Sequence, residues 1–141
     1  MKMFLSALVL TLIAFAVIDT VWLSLTAGPL YKPLMGDLMA TRINMAAAVA
    51  FYLLYGLGVT WFLTFPVLSG QLPVYGLPAG WSLTISAALL GLLAYGTYNL
   101  TAMAVIRDWS LKLVVIDMIW GAVLTTVASH LVVFAGRLLK I

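Results

Sequence analysis

Charge is scarce in this sequence. Only 8% of the 141 residues are charged, seven Lys or Arg and four acids, whereas 65% are hydrophobic and the mean hydropathy is +1.20. A soluble domain of this size carries about 25% charged residues, so we infer that lipid solvates most of this chain. The net charge of +3 comes from basic residues near the ends of apolar runs, where they act as topology signals. We therefore expect no nucleic-acid partner.

Cysteine is absent, and histidine occurs once, as His130. Disulfides and thiolate metal sites are thereby excluded, and one imidazole without further ligands makes no metal site. His130 lies about 20 Å along a helix from Asp117 and on a different face, so the two cannot form a catalytic triad. The sequence also has no serine-hydrolase, metalloprotease or phosphate-loop motif. We expect no cofactor, and no sequence feature points to an enzyme.

Long apolar runs dominate the chain, at residues 4–26, 44–65, 82–106 and 111–136. Each is long enough to cross a bilayer as a helix, which takes about 20 residues. Because the first run is long, contains Asp19 and lacks a cleavage site, it is predicted to be a spanning helix and not a signal peptide. The sequence thus predicts an all-α integral membrane protein, a single domain over residues 1–141 folded as an up-down-up-down four-helix bundle. The expected location is the bacterial inner (plasma) membrane, with the lipid bilayer as partner.

Breakers and caps set the predicted helix ends. The helix breakers Pro29, Pro33 and Gly36 predict a loop over residues 27–42, after the first helix. Pro66 is expected to stop the second helix, and Ser82 and Ser110 to cap the third and fourth. The uncharged connection 66–81 is expected to lie among the lipid head groups. Basic residues divide almost evenly between the two membrane faces, which leaves the orientation open.

The helices carry polar side chains at one level. Asp19 lies about 7 residues before the first helix ends and Asp117 about 6 after the fourth begins, so both lie roughly 10 Å inside the same membrane face. Asn99 and Tyr52 fall at this level on the third and second helices. An acid inside an apolar segment is a candidate functional group, although polar side chains also hydrogen-bond membrane helices together.

Stripes with a four-residue spacing predict how the third and fourth helices face each other. When the helices run antiparallel, large and small residues meet and the backbones can approach closely. The predicted pairs are Asn99 with Asp117, Tyr95 with Gly121, and Gly91 with Thr125.

Tryptophans follow both acids, within the related segments VIDTVW at 17–22 and VIDMIW at 115–120. Because hexapeptides this apolar often coincide by chance, we infer no inverted repeat from this likeness. The tryptophans are predicted to be interfacial anchors or walls of a pocket. Two carboxyls at one depth in a low dielectric should not both ionise, and nearby tyrosines and Asn99 are suitable donors to the one that does. The candidate ligand-binding residues are Asp19, Asp117, Asn99, Tyr98, Tyr95, Tyr52, Trp22 and Trp120.

Segments of the chain resemble a bacterial membrane family, domain of unknown function 2177, namely IDTVWL at 18–23, AYGTYNLT at 94–101 and DMIWG at 117–121. The resemblance extends through nearly the whole chain and implies a four-helix integral membrane protein without an assigned reaction. The family pattern carries an acid where Asn99 stands and Asn where Ala102 stands. By that comparison, this chain has lost one carboxyl of a three-acid layer.

Several functions fit these features. The first hypothesis is a module that binds a small apolar or amphipathic molecule, such as a lipid, at the polar layer. The alternatives are a proton-coupled small-molecule transporter and an accessory subunit of a larger membrane complex. The small-residue face at Ala46 and Ala50 also predicts self-association as a homodimer.

Overall fold

The computed structural model describes residues 1–71 and 76–141, and the regular structure in these ranges is entirely helical. The helices form the expected all-α bundle of four spans, each long and apolar enough to cross a membrane. The expectation for the connection 66–81 falls partly on residues 72–75, which lie outside the described residues. The spans are Lys2–Leu38, Met45–Leu68, Ala79–Val105 and Leu111–Leu138.

The first span continues beyond its predicted end at residue 26. Helix α1 (Lys2–Thr26) runs into a π-helical turn (Ala27–Tyr31) and then into helix α2 (Lys32–Met35). The α-helical part ends before Gly36, whose φ of 52° lies in a region open mainly to glycine, and a 3₁₀ turn (Gly36–Leu38) completes the span. The prediction of a loop beginning at residue 27 is therefore wrong.

The prolines of this segment are tolerated because of the π-turn. The backbone N–H of Lys32 bonds to the carbonyl of Ala27, five residues earlier and not four, so the regular hydrogen-bond ladder is already interrupted around Pro29. Pro33 stands in the first turn of α2, where its fixed φ suits the helix and its missing N–H is tolerated.

The second span has the same construction. Helix α3 (Met45–Val59) is followed by a π-turn (Thr60–Thr64) and by α4 (Phe65–Leu68). Pro66 lies in the first turn of α4 and does not stop the helix, contrary to the prediction.

Helices α5 (Ala79–Val105) and α6 (Leu111–Leu138) form the third and fourth spans. Ser110 caps α6 as predicted, because its side chain accepts a hydrogen bond from the backbone N–H of Leu113. Ser82 does not cap α5. It lies inside the helix, which already begins after Pro78, and its hydroxyl donates to the carbonyl of Leu77 at 3.2 Å.

Helices α5 and α6 make the closest helix pair, in the predicted register. A Cβ added to Gly91 would lie 2.0 Å from the carbonyl oxygen of Gly121 and 2.6 Å from Oγ1 of Thr125. One added to Gly121 would lie 2.4 Å from the ring of Tyr95. Only residues without a Cβ permit this approach, which is typical of packing between membrane helices.

The first and second spans make unequal contacts with this helix pair. Helix α1 lies against α6 and α3, whereas α5 approaches the second span chiefly at its π-turn. Buried side chains of all four spans, including Phe15, Leu63, Leu83 and Leu124, form the core. A cleft remains between α3 and α5 toward the end of the bundle that carries the acids.

The outer surface of the bundle is apolar. On α1, large hydrophobic side chains recur every four residues and are more than half exposed, as at Val9, Ile13 and Val17. Such a surface is suited to lipid. Ala46 and Ala50 are also exposed, on α3, and the homodimer through them stays a prediction.

Candidate binding site in the polar layer

Asp19 is buried, with 7% of its surface exposed. The hydroxyl of Tyr52 on α3 donates to its Oδ2. The indole Nε1 of Trp120 on α6 donates to its Oδ1 at 3.1 Å. Helices α3 and α6 therefore supply the donors for the carboxyl that α1 carries.

Asp117 on α6 is equally buried, at 7%. The hydroxyl of Tyr31 donates to Oδ1 at 2.6 Å, and the amide Nδ2 of Asn99 donates to Oδ2 at 3.2 Å. Tyr31 in turn accepts a hydrogen bond from Nε1 of Trp22 at 3.2 Å. The π-turn after α1 is what places Tyr31 here, because it lets the first span continue to this residue.

The tryptophans join the two carboxyl groups into one layer. Their indole rings stack in parallel, with centroids 4.1 Å apart and an interplanar angle of 9°. Trp120 donates to the acid on α1, and Trp22 reaches the acid on α6 through Tyr31. Each tryptophan is therefore hydrogen-bonded, directly or through Tyr31, to the acid of the other VIDxxW segment. The likeness between the two segments corresponds to this reciprocal pairing.

Every hydrogen-bond donor to these two carboxyls is neutral. In the described part of the chain, no Lys or Arg forms an ion pair with Asp19 or Asp117. A charge in a membrane interior is normally paired or faces a cavity. Among the residues that the structure describes, neither acid therefore has a basic side chain as its partner.

One of the two acids faces a cavity. A cleft of about 300 Å³ is lined by Asp117 together with aromatic side chains and one alanine, and Asp19 is not among its lining residues. Tyr98 is 57% exposed at this cleft and packs edge-on against Trp109, with ring centroids 5.9 Å apart. The lining residues are Phe51, Ala94, Tyr95, Tyr98 and Asp117.

Two further apolar hollows lie between the second and third spans, and each shares a lining residue with the one before it; we call this row of hollows the groove. Phe51 lines both the cleft and a second hollow, which extends past Gly58 to Leu90. Leu90 and Phe62 then line a third hollow, which ends near Ser86. From Tyr98 to Leu90 the groove follows α5 for about 12 Å.

The structure brings the candidate residues together in two groups. Asp117, Asn99, Tyr95 and Tyr98 lie around the cleft or directly beside it. The other candidates form the layer behind it, Tyr52 bonded to Asp19, and Trp22 stacked on Trp120.

Sequence reasoning missed two residues of this region. Tyr31 was assigned to a loop because prolines surround it, and Phe51 resembles any other lipid-facing aromatic residue. A signal for Tyr31 does exist in the sequence, since a tyrosine one to two turns beyond an apolar run can still reach the polar layer if the helix continues. His130, by contrast, lies away from the layer, and its Nε2 is 2.8 Å from Oγ1 of Thr84.

Comparison with known proteins identifies the family. The profile of the family described as "Predicted membrane protein (DUF2177)" matches residues 4–134, and the chain belongs to this family. A search of the curated proteins and a search of the solved structures each found no match to this chain.

Proposed function

We propose that this member of the DUF2177 membrane-protein family binds a small amphipathic molecule, drawn from the surrounding bilayer, in the cleft at Asp117. The observation that carries the proposal is a buried carboxyl at the end of an apolar groove. The polar end of the ligand contacts Asp117, and its apolar part lies in the groove. An all-helical bundle of this kind suits the bacterial inner (plasma) membrane, which we propose as its location.

The direction of the groove matches that of a lipid in a bilayer. Asp117 lies about 9 Å into its helix, close to the membrane face, because six residues separate it from the start of α6. The groove leads from there toward Leu90 and Phe62, deeper in the span. A single-chain amphiphile can therefore enter sideways from the lipid with its polar end still near the interface.

The groove can be filled without disturbing the polar layer. A Cβ added to Gly58, which lines the groove, meets no atom within 4 Å. Gly58→Leu should therefore occupy the space of the ligand's apolar part and leave the packing intact. Gly80→Leu is the matched control, because Gly80 has equally open surroundings on the exposed start of α5.

The test uses three probes that share one spin-labelled alkyl chain and carry an amine, a hydroxyl or a carboxyl head group. In proteoliposomes we expect a saturable, motionally restricted component in the spin-label spectrum of at least one probe. Gly58→Leu should remove it and Gly80→Leu should keep it. The proposal is contradicted if none of the probes binds saturably, or if the two variants behave alike.

A proton-coupled transporter is the second candidate, and the π-turns favour it. Transporters commonly bind their substrates beside interrupted helices, and the interrupted first span supplies Tyr31 to Asp117. Uptake of the probe that binds should then rise when a pH gradient is imposed on proteoliposomes. Equal uptake with and without the gradient would rule out proton coupling.

A further inference from the structure

We propose that the cleft selects a cationic head group, so that the ligand is a single-chain primary amine bound as an alkylammonium ion. This inference rests on the proposed function, since it names the class of molecule that the same cleft takes. It follows from the carboxyl of Asp117, the aromatic lining and a nearby unpaired acceptor, each of which favours a positively charged hydrogen-bond donor.

The carboxyl of Asp117 can accept further hydrogen bonds. An ionised carboxylate has about four acceptor positions on its two oxygens, and Tyr31 and Asn99 use two of them. Both donors are neutral, and no basic side chain in residues 1–71 or 76–141 pairs with this acid. Because Asp117 lines the cleft, a head group there can supply the missing positive charge.

The aromatic residues favour a cation over other polar groups. Phe51, Tyr95 and Tyr98 line the same cleft as the carboxyl. An ammonium group within about 6 Å of an aromatic ring is attracted by the ring's negative face, and desolvation strengthens this attraction. A carboxylate head group would be repelled by Asp117, and a hydroxyl would gain only a weaker hydrogen bond.

Asn99 provides a second, independent observation. Its side chain is fully buried, and its Oδ1 has no hydrogen-bond donor among residues 1–71 and 76–141. Its Nδ2 already donates to Asp117 and to the carbonyl of Tyr95. An acceptor left without a donor next to a carboxyl indicates that the layer is short of donors, and an ammonium group brings three.

The size of the cleft favours a small head group. A space of about 300 Å³ accommodates an ammonium group and the first carbons of its chain. A zwitterionic phospholipid would bring a phosphate close to Asp117, where the like charges repel. We therefore assign the site to a single-chain amine and not to a two-chain lipid.

The test compares the amine, hydroxyl and carboxyl probes on the wild-type protein and on Asp117→Asn in proteoliposomes. The wild type should bind the amine at least about tenfold more tightly than the alcohol, because a hydrogen bond to a charged group exceeds a neutral one by this margin. Asp117→Asn removes the charge that distinguishes the two head groups, so it should weaken the amine more than the alcohol and remove most of the difference between their affinities. Asp108→Asn, in the exposed turn before α6, removes an acid outside the layer and should change neither affinity.

The outcomes separate this inference from the proposed function. If amine and alcohol bind equally in the wild type and both are lost in Gly58→Leu, the cleft binds amphiphiles but does not select cations. If none of the probes binds, both proposals fail. If Asp117→Asn does not fold, the preference of the wild-type protein for the amine over the alcohol still tests the inference. A second variant, Tyr98→Leu, should then weaken binding of the amine more than binding of the alcohol. This variant should fold, since Tyr98 is exposed and its side chain makes no hydrogen bond in the described part of the chain that folding requires. Equal weakening of both probes would overturn the role of the aromatic ring.

Discussion

The two halves of the polar layer have related sequences but different surroundings. Asp19 is enclosed by Tyr52 and Trp120, and it lies outside the cleft. Asp117 has the same exposure and the same number of donors, yet it lines the cleft. Two closely related segments therefore hold one acid in a closed contact between helices and the other at the wall of a cleft. The difference comes from the neighbouring helices.

Those neighbours also pack differently. On the Asp117 side, α5 and α6 touch through their backbones at Gly91 and Gly121. On the Asp19 side, the corresponding close approach is between Gly56 of α3 and the side chain of Leu12 on α1. The first contact is rigid, whereas the second ends on a flexible side chain that can move. The rigid pair holds the carboxyl that lines the cleft.

Alanine at these glycines should give the largest difference between the halves. Gly91→Ala places a Cβ 2.0 Å from a backbone oxygen, so α5 and α6 must separate, and we expect a loss of about 3 kcal/mol in the free energy of unfolding. Gly56→Ala meets only the end of Leu12, at 2.6 Å, and should cost about 1 kcal/mol. Thermal unfolding in mild detergent measures both. Equal losses would show that the two contacts are equally compliant.

Removing a tyrosine hydroxyl on each side should give a smaller difference. Tyr31→Phe removes the bond to Asp117 and the acceptor of Trp22, whereas Tyr52→Phe removes one bond to Asp19. Since a hydrogen bond contributes about 1 kcal/mol, and more where its acceptor is ionised, both variants should be destabilised, Tyr31→Phe the more because it loses two bonds. The same unfolding assay applies. A larger loss for Tyr52→Phe would mean that the enclosed acid depends more on its tyrosine than the open one does.

The tryptophan stack should couple the halves only weakly. A double-mutant cycle with Trp22→Leu and Trp120→Leu should give a coupling free energy of about 1 kcal/mol, the usual contribution of an aromatic pair. Additive losses would indicate that the stack contributes nothing beyond the separate hydrogen bonds.

Tyr98→Phe should have the smallest effect on folding. The side chain is more than half exposed, and its hydroxyl has no hydrogen bond to Asp117. The free energy of unfolding should therefore change by less than about 0.5 kcal/mol. A loss as large as that of Tyr52→Phe would place Tyr98 in the structural part of the layer.

Some of this arrangement could be predicted from the sequence, because it depends on helical spacing alone. The register of α5 on α6, with Asn99 opposite Asp117, follows from stripes of polar and small residues. The shared level of Tyr52, Asn99 and Asp117 follows from counting residues along their spans. For Asp19 the count used a helix end at residue 26, whereas the first span continues to Leu38, and it is the bonds to Tyr52 and Trp120 that place this acid in the layer.

Other features depend on tertiary placement. Tyr31 reaches the layer through a π-turn, and local rules treat its flanking prolines as breakers. The stacking of Trp22 on Trp120 depends on the rotation of α1 relative to α6, which the spacing on either helix does not determine. The cleft arises where α3 and α5 fail to close on each other, and no residue in the sequence marks that gap.

We propose that a ligand's polar end lies beside Asp117, and fluorine NMR of fluorotryptophan-labelled protein tests this placement directly. The amine probe would carry its nitroxide next to the head group. Trp109 packs on Tyr98 at the cleft, and Trp81 stands at the opposite end of α5. We expect the probe to broaden the Trp109 signal saturably, with little effect on the Trp81 signal. Equal broadening of both signals, or broadening of Trp81 first, would contradict it.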